Sequence, residues 1–174
     1  MNLNKLESAI LMSQELMKLA RMNFDRDGYV AMAAFLFGTK VDPRTGEELP
    51  KPSFNVVSAP PVTSEADKDG YVEALGRVIR QTRCTGVGVL AEAWHADVPL
   101  EKQHLIVPGK VHELPGAKEI VYYVLEHKEL GRRQKLWVAE IQRPTGQRPI
   151  LTEFKLLKEL AASYGRFSFL LGTQ

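Results

Sequence analysis

Cysteine is almost missing from this sequence: Cys84 is the single one among 174 residues. No intrachain disulfide can brace the chain, which suits a reducing compartment and leaves stability to a packed core. Long apolar runs are missing too. The strongest, Val30 to Phe37, falls far short of the ~20 residues a membrane-spanning helix needs. Met1 to Leu11 lacks a basic region followed by an apolar stretch, so no secretory signal is read there. A cytoplasmic location with no membrane partner is therefore expected. Charge of one sign is not in excess. The formal net charge of +2 does not demand a polyanionic partner, although residues 1–100 are slightly acidic and 101–174 slightly basic. There is no internal repeat and no low-complexity tract. Gly86-Val87-Gly88 lacks the third glycine and following helix of a phosphate-binding turn, and no serine sits in a nucleophile-elbow context.

What is present is an ordinary globular composition, 44% hydrophobic and 25% charged. One domain spanning 1–174 is expected, because two cores would each have too little apolar surface to bury. Leu6, Ile10, Leu16, Met17 and Ala20 recur near a 3.6-residue period, and Asp25-Arg26-Asp27-Gly28 ends the helix they define. Tyr29 to Phe37 reads as a buried strand, although its Ala-Met-Ala-Ala centre also suits a helix. Phe54 to Ser58 should return antiparallel to it, after an exposed loop at 39–52 that is dense in turn formers. Ser64 caps a second helix, about 64–82, with Asp67 three residues on and a stripe of Tyr71, Val72, Leu75, Val78 and Ile79.

Three strands follow: Thr85 to His95, then Lys118 to His127 and Lys135 to Arg143 as a hairpin. Between the first two lies a long Pro/Gly-containing loop, 96–117, of a length often functional in compact domains. Phe154, Leu157, Leu160, Ala161 and Tyr164 have helical spacing, ended by Gly165. Arg166 to Leu171 is an apolar segment that either completes the sheet or docks on a neighbouring subunit. The order α-β-β-α-β-β-β-(α) predicts an α+β single domain. Its sheet should be antiparallel or mixed, of about five strands, with two to three helices packed on one face.

The strand ending Phe35-Leu36-Phe37-Gly38, the capped helix, and the strand end Ala91-Glu92-Ala93-Trp94 resemble a loose group of small uncharacterised bacterial and phage proteins. The likeness covers roughly residues 3–143. It implies the same α+β element order and carries no known activity, cofactor or catalytic residues.

Several patterns bear on chemistry. Asn23, Asp25 and Asp27 with Gly28 imitate the front half of a calcium loop, in which glycine permits the sharp turn. The twelfth position, however, is Ala34 where a bidentate glutamate should stand. His95, His104, His112 and His127 lie close in sequence and are metal-ligand types, with Glu92, Asp97, Glu113 and Glu126 nearby. None of them has the i, i+4 spacing of a helical site, and Glu92 and His95 would face opposite ways on a strand. A bound metal is therefore a minor expectation and no cofactor is predicted. Glu92, beside Trp94 in an apolar strand, is the candidate acid or base, with Glu140 as a conceivable partner. Cys84 could pair with a histidine as a nucleophile, but a strand-entrance cysteine is more often a small buried apolar residue.

Arg132, Arg133, Lys135, Arg143 and Arg148, with Trp137 and Tyr122 to stack on bases, are the candidate nucleic-acid contacts. Glu126, Glu129 and Glu140 dilute that patch, and a charged hairpin also protects a sheet edge. Phe167, Phe169, Leu170 and Leu171 are the candidate interface. The leading expectation is a non-enzymatic interaction or structural module that self-associates. Its alternatives are a metal-dependent or acid/base enzyme centred on Glu92 and His95, and a nucleic-acid-binding protein using the 132–148 hairpin.

Overall fold

The first helix, α1 (Lys5–Asp27), starts in a capping box. Asn4 Oδ1 accepts from the Glu7 N–H at 2.7 Å, and Glu7 Oε2 accepts from the Asn4 N–H at 3.0 Å. These bonds satisfy two donors that a helix start leaves orphaned. Gly28 closes the helix at φ +80°, its N–H donating to Phe24 O at 2.7 Å. The computed structural model describes residues 4–62, 64–107, 109–160 and 170–171.

After α1 come β1 (Ala33–Val41), β2 (Glu48–Ser58), α2 (Glu65–Thr82), β3 (Gly86–His95), β4 (Lys118–His127), β5 (Gln134–Gln142), β6 (Ile150–Leu151) and β7 (Lys155–Leu160). The sheet is antiparallel, in the order β2-β1-β3-β4-β5. The free edge of β5 is shared: β7 pairs with Gln134–Val138 and β6 with Ile141 and Gln142. The chain is thus an α+β fold, with seven strands rather than about five.

The helices lie on opposite faces of the sheet, not on one. Alternation along β1 shows why. Phe35 and Phe37 join Leu90, Val121, Tyr123, Leu125, Trp137 and Ala139 in a core closed by Ala9, Met17, Ala20 and Phe24 of α1. Ala34 and Leu36 turn the other way, joining Val87, Val89 and Val124 under Tyr71, Leu75 and Ile79 of α2. A sheet apolar on both faces needs a cover on each. Ser64 caps α2 as read from the sequence, with Asp67 completing a capping box.

Three further expectations are corrected. The exposed loop at 39–52 contracts to a turn at 42–47, because Val41 already pairs with Glu48. Asp42 Oδ1 accepts from the Arg44 N–H at 2.7 Å, and the Asp42 N–H donates to Glu47 O, so the turn density lies in those few residues. Secondly, the helix expected over 154–164 is a strand in its described part. Pairing Lys155–Leu160 with β5 satisfies backbone groups that an open edge would leave unpaired, and this overrides a weak helical spacing. Leu156 and Leu157 both remain exposed. Thirdly, Leu170 and Leu171 pack on their own α2-side core, and the Leu171 N–H donates to Glu126 Oε2 at 2.9 Å. Phe167 and Phe169 lie outside the described residues. The 96–117 connection is a loop with two short 3-10 helices, Leu100–Leu105 and Val111–Glu113.

Close approach between β3 and β4 depends on glycine. A Cβ on Gly88 would sit 2.0 Å from the hydroxyl oxygen of Tyr123 and 2.6 Å from its Cζ. That hydroxyl is fixed in turn by Ser13 at 2.9 Å, and the Ser13 hydroxyl donates to Ala9 O at 2.7 Å. Gly88→Ala is expected to destabilise by about 1–3 kcal/mol through overpacking. Tyr123→Phe should cost about 1 kcal/mol for its lost buried hydrogen bond. In a urea-melt double-mutant cycle, the pair should cost less than the sum. Strict additivity would show that the ring and the glycine are not in tight contact.

Candidate functional site

Three neighbouring strand ends gather titratable side chains on the α1 side of the sheet. Glu92 of β3 stands opposite Val121, and Trp94 opposite Glu119 of β4. Glu92 and Glu119 are therefore diagonal neighbours on one face. Arg143, just past β5, donates through Nε and Nη2 to both oxygens of Glu119, each at 2.6 Å. This fork-to-fork pair holds the hairpin end together. Glu92 Oε1 accepts from the Val30 N–H at 2.6 Å. The carboxylate thereby ties the segment between α1 and β1 to the middle of the sheet, at a residue that is itself buried.

Burial pushes the Glu92 carboxyl above the usual carboxylate range. The nearby Glu119 adds to the rise, while the Val30 N–H and Arg143 oppose it. A proton on Glu92 would thus persist into weakly acidic solution. The loop returns beneath this end of β3, where the exposed His112 ring lies 6.0 Å from that of Trp94, tilted by 52°.

The remaining candidates do not join this group. His95 faces the α2 side, opposite Lys118, so the Glu92–His95 pair does not form. Glu140 also faces that side and pairs with Lys118 at 3.1 Å, which removes it as a partner for Glu92. His104 is exposed in the first 3-10 helix, and His112 has only Glu113 at 3.8 Å as an acidic neighbour. Asn23, Asp25 and Asp27 are not in a loop at all. They lie in the last turns of α1, where residues two apart point in widely different directions. Asp27 is taken by Arg26 through two bonds of 2.8 and 2.7 Å. Among the described residues, no three histidine, cysteine or acidic side chains are grouped to hold a metal.

Cys84 is buried in the α2-side core, and burial pushes its thiol up to about 11, so it stays protonated and unreactive. The basic candidates separate as well. Arg132 and Arg133 sit in the turn before β5, and Arg143 follows its far end, roughly 30 Å away at the rise of a strand. Arg143 is neutralised by Glu119, and Trp137 is buried in the α1-side core, unable to stack on a base.

The sequence reading missed Glu119, Val30 and the burial of His127. Alternation along the hairpin could have placed Glu119 and Arg143 on one face, but nothing local marks Val30 as a partner of Glu92. His127 is almost wholly buried, opposite Gly86. Its Nδ1 accepts from the Glu129 N–H at 3.3 Å, so the neutral ring carries its proton on Nε2, which has no protein partner. Burial lowers the His127 pKa. Comparison with protein-family models, with curated proteins and with solved structures gives no match.

Two pH dependences of opposite sign follow. Because folding raises the Glu92 pKa, its contribution is full below the unfolded value and is lost as pH rises through the folded one. Glu92→Gln keeps an acceptor for Val30 and should be more stable than wild type at pH 7, with the gap closing towards pH 4. Glu92→Ala should lose about 1–3 kcal/mol at either pH by orphaning the Val30 N–H. Urea midpoints at the two pH values check both. Because folding lowers the His127 pKa, stability is lost as pH falls below the ordinary histidine range. His127→Phe should flatten the change in urea midpoint between pH 7 and 5, and an undiminished slope would assign it to other groups.

Proposed function

We propose that this chain is a non-enzymatic interaction module that self-associates through the outer face of α1. The observation that carries this reading is that α1 is apolar on two sides. Its inner side closes the core, yet Leu11, Met12, Leu19 and Met22 remain 48, 41, 53 and 66% exposed. At 100° per residue these four fall within one arc, roughly opposite Ala9, Ser13, Ala20 and Phe24. A cluster of large exposed side chains on the order of a few hundred Å² is characteristic of an interaction surface. The Glu92 group, by contrast, is engaged in holding segments of the fold together, which argues against the acid/base alternative.

The sheet edge is a poorer surface. β2 is exposed, but Pro50 and Pro52 withhold donors from part of it, as protected edges do. Phe54 is held against Phe35, with ring centres 6.2 Å apart and nearly parallel. Leu170 and Leu171, already packed on the chain's own core, are left out of this proposal.

Leu19→Lys combined with Met22→Lys should leave the urea midpoint nearly unchanged, since neither side chain is buried. The same variant should sediment as a monomer at concentrations where the wild type is larger. A wild type that is monomeric throughout the concentration range would overturn the reading, as would a variant that associates like it.

A further inference from the structure

We propose that the outer face of α1 is covered by α1 of a second copy, packed antiparallel about a two-fold axis. This rests on the self-association reading above and specifies its geometry.

The face is self-complementary when reversed. Along its centre run Leu11, Glu15, Lys18 and Met22, spaced four, three and four residues apart. Turning the helix end for end maps position 11 onto 22 and position 15 onto 18. Leu11 then meets Met22 of the other copy, and Glu15 meets its Lys18. Every contact occurs twice, as an isologous interface requires. In a parallel pair, by contrast, Glu15 would oppose Glu15 and Lys18 would oppose Lys18. Within one copy Lys18 already donates to Glu15 at 2.6 Å, with both side chains about two-thirds exposed. Two such pairs brought together form a four-charge ring of alternating sign. Exposed charges of this kind add little affinity but select orientation, since the parallel arrangement juxtaposes like charges.

Met12 and Leu19 strengthen the geometry. Both lie on the same flank of the stripe, and a two-fold axis normal to the two helices brings those flanks to the same side of the seam. There the four side chains can close over the charged centre, excluding water from it. Exposed ions at the middle of an apolar stripe are otherwise a costly place to dock an arbitrary apolar partner, because one lacking matching charges would bury them unpaired.

The test is disulfide trapping with Leu11→Cys and Met22→Cys made separately. Cys84 is buried and its thiol stays protonated, so it does not compete. Antiparallel packing brings position 11 beside 22 of the other copy. It leaves position 11 roughly 16 Å along the axis from its own counterpart, and position 22 likewise. Under mild oxidation, a mixture of the two variants should give a cross-linked heterodimer while each alone gives little. Cross-linking of each variant with itself would indicate parallel packing and overturn this inference, leaving self-association through α1 intact. A wild type that sediments larger than a monomer without any cross-link would place the interface elsewhere, overturning both. A strictly monomeric wild type would do the same.

Discussion

Tyr123 sets the distance at which α1 rides over the sheet. Its ring lies flat enough against β3 that the residue beneath must be Gly88, and its hydroxyl meets Ser13 on α1. One buried side chain thereby joins the first helix to two central strands that are distant in sequence. Phe35 and Trp137 pack against the same ring, with centres 6.1 and 5.9 Å away, so β1 and β5 take their place from it as well. Since hydroxyl and serine are buried together, neither can regain water by a small shift, and the helix is held in one position rather than sliding on a greasy surface.

The polar groups at the far end of the same face have a related task. Glu92 reaches the backbone of Val30, where the chain leaves α1 and has not yet entered β1. That segment has no ladder of its own, and the carboxylate supplies the acceptor its N–H would otherwise lack. Glu119 and Arg143 clamp the neighbouring strand ends. A half-buried carboxylate with a raised pKa is a familiar mark of catalysis, but structural anchors produce the same shift. Here the geometry around Glu92 accounts for it without a substrate. The surface left without such a task is the outer side of α1, whose apolar residues contribute to no core.

The elements legible from sequence were those with strong local signals. Ser64 and Asp67 announced the start of α2, Gly28 the end of α1, and alternation the β4–β5 hairpin, each through interactions within a few residues. Lys155–Leu160 was misread as helix because its leucines fit a helical stripe, while the reason for its strand lay in the unpaired edge of β5. The calcium-like pattern failed for a similar cause: Asn23 to Asp27 have the right residue types, but α1 continues through them and spreads the side chains.

By itself, the sequence determined that this is an α+β chain braced by a core rather than by disulfides, with most of its helices and strands in order. It also held the alternation that sends Phe35 and Leu36 to opposite sides. Only the tertiary structure decided that each side carries a helix, that Glu92 serves Val30, and that His95 turns away from it. Those outcomes depend on which strands become neighbours and in what register. Strand pairing joins residues far apart in the chain, and a shift of one residue would send every side chain to the other face. The outer stripe of α1 had the same origin. Its residues look like core in the sequence, and only the placement of the helix shows which of them the sheet left uncovered.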